Sequence, residues 1–508
     1  MKTQKTSFVD ILRKMGDYVP SAVVLFACLI ALLLVASCVA SFFELSVADP
    51  RKPDARIAII NLLSLKEWVH IATNLVSNFS AFPPLGTVLV AMLGVGIAEQ
   101  SGFLSAVIRA MVVNAPKKLI TLAVVFAGIM SNLASDVGYV VLIPLAGMVF
   151  YSVGRNPIAG IAAAFAGVSG GYSANLLIGT LDPILSGITQ QAARIIDPNY
   201  VVGIEANWYF MFVSTFLITL LGYFVTEKIV EPRLGELPQD ATREKVCLTL
   251  KPEEKKALWY AILSGVVLLG IVLACVLPID SPFRNPTNGS LIGSPFFKGI
   301  IFFVFVFFAI LGLVYGFVLK TFKNANDCVE AMSKAMQSMS AYLVIIFFAA
   351  QFIALFSWSN FGPFLAIQGA NFLKALDLNA GLLLIGFVLI SASINLMISS
   401  ASAQWALTAP IFVPMLMLLG YSPEVIQVAY RIGDSTTNII TPLMAYLPVI
   451  LAAAMKYQKD IKIGTLISLM FPYSLVFLIG WCVMLYIWVF VFGLPVGPGS
   501  ANIYQSAF

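Results

Sequence analysis

Nine stretches of this chain are apolar over the ~20 residues that a helix needs to cross the hydrocarbon of a bilayer. They lie at about 21–43, 86–112, 157–180, 206–226, 257–278, 299–319, 338–358, 423–455 and 463–493. Lipid offers backbone N–H and C=O groups no partner, so such stretches fold as helices. Two further apolar segments, 117–152 and 380–420, are too long for one span, and each breaks at a polar centre. We read them as re-entrant hairpins. The expected fold is an all-α polytopic membrane protein with nine transmembrane helices plus two re-entrant hairpins. With 60% hydrophobic and 11% charged residues, the 508-residue chain is not expected to be a soluble enzyme. Its start, MKTQKTSFVDILRKMGDYVP, is too polar for a cleavable signal, and the first apolar run is long enough to remain as a span.

Charge placement sets the orientation. With the N-terminus inside, 21 of the 30 lysines and arginines fall on the cytoplasmic side, as the positive-inside rule expects. The tail GLPVGPGSANIYQSAF carries no basic residue and is placed outside. The net charge of +5 is thus a topological signal, and no nucleic-acid partner is expected. Six scattered cysteines show no disulfide or zinc spacing. His70, the one histidine, falls in a loop and reads as a surface residue, which leaves no histidine for a proton relay. There is no GxxxxGK[ST], no HExxH and no GxSxG, so neither a fused ATPase nor a membrane enzyme is expected.

Two segments repeat each other. Pro144, Gly154, Pro157 and Gly167 are spaced 10, 3 and 10 apart, and so are Pro410, Gly420, Pro423 and Gly433. Asn132 and Asn395 open the two segments; Asn175 and Asn438 close them. The topology makes one hairpin enter from each face, so the repeats are of inverted topology. Repeat 1 has its core at 117–195 and repeat 2 at 380–456, within one transporter unit of 1–508; the remaining spans form scaffold or dimer contacts. Inverted repeats with broken helices are the signature of secondary transporters, which bind substrate and ions near the membrane midplane. The breaks are expected at GVSGGYSAN (167–175), which holds Ser173, and at GDSTTN (433–438). The hairpin tips, SNLASD (131–136) and NLMISSAS (395–402), supply half-helix ends.

Arg431 and Asp434 stand one turn apart in an otherwise apolar span and can face each other. A charge at bilayer centre costs at least ~2.5 kcal/mol. The two are either a salt bridge that holds the helix break, or a functional pair in which Asp434 carries a proton or sodium. Asp182 follows the first break, as a loop carboxylate at the outer mouth or as a site residue; Asp136 is the equivalent candidate at the tip of hairpin 1. Glu99 reads as a packing position. Trp405 is either an anchor at membrane depth or an aromatic wall for a flat ligand.

Over INLMISSASAQWALTAPIFVPMLMLLGYSPEVIQVAYRIGDSTTNIITP, with VSGGYSANLLIGTLDPILSGIT, EANWYF, EKIVEPRLG and GLPVGPG, the chain closely resembles the p-aminobenzoyl-glutamate transporter (AbgT) family. It is most similar to the branch linked to export of sulfonamides and antimetabolites. The resemblance implies a homodimer, each protomer with nine spans and two hairpins around a basin open to the cytoplasm. It implies functional roles for Asp182, Ser402, Trp405, Pro423, Arg431, Asp434 and Pro442, and a bound sodium at Asn395 and Asp434; no other cofactor is implied. The implied function is ion-coupled secondary transport of p-aminobenzoyl-glutamate or sulfonamide-type aromatics across the bacterial inner membrane. A dicarboxylate/sodium symporter of similar hairpin architecture is the alternative.

Overall fold

A computed structural model describes residues 21–49, 52–113, 115–134, 137–235, 250–291 and 294–504. Among these, seven helical stretches are long and apolar enough to cross a bilayer: Ala22–Phe42, Leu65–Gln100, Trp208–Leu234, Pro252–Val276, Ile300–Val318, Ser340–Trp358 and Ile463–Val491. The expected span 86–112 is corrected: its first part ends the stretch Leu65–Gln100, and its second part is a separate helix, Phe103–Val113, because the chain turns at Ser101–Gly102. Two other expected spans are the broken ones. The first is Pro157–Phe165, continued by a π-helical turn at Ala166–Gly170 and then by irregular chain. The second is Pro423–Thr437, interrupted before Leu447–Met455. Both hairpin segments form pairs of short apolar helices: Ile120–Ser131 with Ile143–Ser152, and Ala380–Asn395 with Ala401–Met417. The fold is therefore all-α and polytopic, apart from one antiparallel β-hairpin, Ser46–Asp49 with Lys52–Ala58.

The matching sequence spacing is matched by local structure. Gly154 and Gly420 both have positive φ, +83° and +95°. Each ends its helix by letting the chain turn back, with Arg155 N–H on Phe150 O and Tyr421 N–H on Leu416 O. Each broken helix then restarts on a polar cap with proline at its first position. Asn156 accepts from Ile158 N–H before Pro157, and Ser422 accepts from Val425 N–H before Pro423.

Gly167 and Gly433 correct the expected reason for glycine at the breaks. Neither is unwound: Gly167 lies in the π turn and Gly433 inside the helix Pro423–Thr437. Both are sites of close approach instead. A Cβ on Gly167 would lie 2.4 Å from the Val125 carbonyl, and one on Gly433 would lie 2.6 Å from the Val388 carbonyl. Each broken helix thus packs backbone to backbone on the first arm of its own hairpin. The second break falls later than expected, after Thr437, because GDST is held helical by this packing. The chain from Asn438 to Tyr446 is the irregular part. It is tied to hairpin 2 by Thr441 Oγ1 to Leu396 O (3.0 Å) and by Ser399 Oγ to Leu443 O (3.1 Å).

Three further helices among the described residues, Leu181–Ala193, Ala325–Ser338 and Phe361–Ala375, and the first part of Leu65–Gln100, Leu65–Ser80, lie outside the expected spans. Leu181–Ala193 matters most, since it joins the first break to the rest of the site. Its buried face packs on Ala401–Met417 and on Pro423–Thr437.

Candidate functional site

The helix Pro423–Thr437 is buried along its whole length, polar residues included. Glu424, Gln427, Arg431, Asp434 and Asn438 recur at intervals of three and four, which places them along one face of the helix and its extension. That stripe was readable in the sequence, and it names two residues the motif reading missed, Glu424 and Gln427.

Its first half faces repeat 1. Arg431 Nη2 donates to Asp182 Oδ1 at 2.6 Å, with the Arg431 side chain 3% exposed and that of Asp182 13%. Asp182 sits in the first turn of Leu181–Ala193, and its other oxygen accepts the Gly179 N–H at 2.6 Å. This corrects two expectations. The ion pair of Arg431 is with a residue of the other repeat rather than with Asp434 one turn on, and Asp182 is a partly buried helix-start carboxylate, not a loop group at a mouth. From Arg431 the polar chain continues. Its Nη1 reaches Asn207 Oδ1 at 3.4 Å, and Gln427 Nε2 donates to the same oxygen at 2.7 Å. Thr189 Oγ1 donates to Gln427 Oε1 at 2.6 Å, and Trp405 Nε1 donates to Thr189 Oγ1 at 2.9 Å. One buried network therefore links hairpin 2, the helix after break 1, and the second broken helix.

Trp405 is fully buried, with its ring stacked on Tyr430 at 4.3 Å and 22°. In this conformation it is neither a membrane anchor nor an open wall; it holds the network in place. Trp405→Phe keeps the stack but strips Thr189 of a donor, at about 1 kcal/mol. Trp405→Ala adds a cavity, for about 3–5 kcal/mol in all. The expected order of melting temperatures in detergent is wild type, then Phe, then Ala well below, with flux falling in the same order.

The second half of the stripe faces hairpin 2. Asn395 Nδ2 meets three acceptors: the Asp434 carbonyl (2.8 Å), Thr437 Oγ1 (3.0 Å) and Asn438 Oδ1 (2.9 Å). Asn395 Oδ1 and both carboxylate oxygens of Asp434 are buried and make no well-formed hydrogen bond among the described residues. Tyr430 and Asn438 stand beside the carboxylate, but the Tyr430 hydroxyl is engaged by the Ala401 carbonyl at 2.5 Å. Buried acceptors on two helices that Asn395 ties together at the Asp434 carbonyl suit a hard cation or a proton.

The other expected residues are partly assembled with these. Ser173 N–H donates to Ser435 Oγ at 3.1 Å, so the first break touches the second broken helix. Ser173, Asn175 and Asp182 share a cavity of about 10 Å³, room for about one water. Asn132 is buried at hairpin tip 1 with its Nδ2 on Ile129 O and its Oδ1 unpartnered among the described residues. Ser402 lies at the start of the second arm of hairpin 2, 3.4 Å from Ser400 Oγ. Pro423 starts the second broken helix, and Pro442 lies in the irregular chain beyond it. Asp136 lies outside the described residues.

Broken helices meeting across two halves, with a buried charge network between them, define a multi-pass membrane transport protein. The chain matches the model described as "AbgT putative transporter family" over residues 7–504, and it belongs to that family. It is 37% identical to the p-aminobenzoyl-glutamate transport protein of Escherichia coli (strain K12) over 486 residues, 96% of this chain and 95% of that one. Among solved structures, it resembles the Neisseria gonorrhoeae MtrF, described within a class of antimetabolite efflux pumps, with TM-score 0.92 and 54% identity over 97% of this chain and 100% of that one. The Alcanivorax borkumensis YdaH transporter, described as having an unusual topology, gives TM-score 0.90 and 46% identity over 94% of this chain and 100% of that one.

Proposed function

We propose that this protein is a secondary active transporter that moves p-aminobenzoyl-glutamate and sulfonamide-type antimetabolites across the bacterial inner membrane, driven by protons or sodium. The observation that carries the reading is the Arg431–Asp182 pair, which joins the two repeats at a buried point. A guanidinium there is a bidentate partner for a substrate carboxylate. Swapping Asp182 for the substrate's own carboxylate would release one repeat from the other, which is the kind of exchange alternating access needs. The names of the E. coli and gonococcal relatives support the two substrate classes. Asp434 and Asn395 fit the coupling ion: a sodium would bring one positive charge to buried oxygens that make no well-formed hydrogen bond among the described residues. A homodimer with cytoplasmic N-terminus and periplasmic C-terminus completes the proposal.

The test is flux into proteoliposomes under proton and sodium gradients imposed separately. Gradient-dependent movement of p-aminobenzoyl-glutamate, inhibited by sulfonamides, is expected. Uptake of succinate in its place, with sodium alone, would instead establish a dicarboxylate symporter.

A further inference from the structure

Some way from the Arg431 network lies a cavity of about 490 Å³, within the ~300–1,000 Å³ typical of small-molecule sites. Its lining combines an aliphatic part, with Ile71 and Ile353, and a set of convergent polar groups, as small-molecule sites do. His70, Asn74 and Asn78 reach it from one face of the helix Leu65–Ser80, at successive intervals of four. Gln191 and Arg194 reach it from the far end of the helix that carries Asp182 at its start. Twelve residues separate Asp182 from Arg194, or about 18 Å of helix at ~1.5 Å per residue, so the cavity is distinct from the Arg431–Asp182 pair, while Thr189 carries the polar network to within two residues of Gln191 on the same helix.

His70 does not read as a loop residue here. Its ring lies flat on Trp358 at 3.8 Å and 7°, and Trp358 is 42% exposed. The indole N–H is fixed on Oε2 of the buried Glu67 at 2.6 Å. The amides are positioned too: Asn74 Nδ2 on His70 O at 2.8 Å, and Asn78 Nδ2 on Gln351 Oε1 at 3.1 Å. Arg194 is the cation on this wall. Its Nε donates to Tyr200 O at 3.1 Å, and no carboxylate pairs with it among the described residues. Its terminal nitrogens make no hydrogen bond among the described residues.

We infer that this cavity is a second binding site, for aromatic carboxylates, separate from the Arg431 network. Arg194 takes the carboxylate as a planar fork, the His70–Trp358 stack offers a ring platform, and Asn74, Asn78 and Gln191 supply amide donors and acceptors. That the occupant is the transported molecule rests on the proposed function; that it is an aromatic anion rests on the lining.

The test uses the full chain in zwitterionic nanodiscs, in a cysteine-free background with Ser357→Cys as a near-isosteric reporter on the cavity wall. With each rate divided by that reagent's rate on a free thiol in solution, an anionic methanethiosulfonate is expected to label it about tenfold faster than a cationic one, since Arg194 attracts the reagent. Arg194→Gln should remove that preference and Arg194→Lys should keep most of it. Benzoate and p-aminobenzoyl-glutamate should both slow labelling, glutamate should not, and Arg194→Gln should abolish the protection. If Arg194→Gln does not fold, His70→Leu serves, with loss of protection by benzoate expected. Protection by benzoate without p-aminobenzoyl-glutamate keeps this site and overturns the transported molecule as its occupant, while the proposed cargo stands or falls on the flux assay. An unreactive cysteine, no protection by either aromatic, or blockage produced by phosphatidylglycerol alone overturns the site.

Discussion

Gradient-driven flux is expected to fall by about 100-fold or more when Asp434 becomes Asn, while the protein still inserts and its melting temperature holds or rises. The two halves of that expectation come from one fact: a carboxylate 1% exposed whose oxygens lack well-formed hydrogen bonds among the described residues. Such a group is a burden on the folded state, since burying a carboxyl without well-formed hydrogen bonds costs free energy in either protonation state. Removing the charge at nearly constant volume therefore does not weaken the fold. It does remove the formal charge that a sodium or proton would meet, and a loss of ~2.7 kcal/mol in ion binding is a factor of about 100. Added sodium should raise the melting temperature of the wild type, because a ligand of the folded state stabilises it by mass action, and should leave Asp434→Asn unmoved if sodium is the ion. Flux within threefold of wild type in Asp434→Asn, under either gradient, would falsify the carrier assignment. A structural role makes the opposite forecast, a lower melting temperature with flux per folded molecule retained.

How much of this was visible in the sequence divides along physical lines. Membrane spans are set by length and apolarity, so the seven long apolar helical stretches of the described residues left a sequence signal, although the expected 86–112 divides at Ser101 into two helices; the Pro–Gly–Pro–Gly spacing located both helix restarts. The glycine turn at 154 and its counterpart at 420 are local devices, and local devices leave local signatures. What failed was partner choice. Arg431 and Asp434 are one turn apart, which licenses a contact but does not fix one; the guanidinium instead reaches 249 residues away to Asp182. That choice depends on how Leu181–Ala193 packs on Pro423–Thr437, and the former helix is too polar to read as a span. Leu65–Ser80 was lost for the same reason, and with it the setting of His70. Residues such as Thr189, Asn207 and Gln427 matter because a buried polar atom must find a partner. Only the stripe from Glu424 to Asn438 hinted at them.

Breaking the Arg431–Asp182 pair is expected to have the second large effect, and an asymmetric one. Asp182→Leu leaves the Arg431 guanidinium, 3% exposed, without its counter-charge; Arg431→Met leaves a carboxylate that is 13% exposed and still accepts the Gly179 N–H. Removing one partner of a buried pair costs about 3–5 kcal/mol. The Asp182→Leu end of that range should be the worse, so its melting temperature in detergent should fall further than that of Arg431→Met. The double variant with both changes replaces charge by apolar volume and should regain most of the lost stability, since apolar substitution of a whole buried pair is often neutral. Its flux should not return. A pair that only braces the repeats is dispensable once the packing is restored, whereas a pair whose guanidinium receives the substrate carboxylate is not. Recovery of both melting temperature and flux in the double variant would remove Arg431 from the substrate's path and leave it as a brace between the repeats.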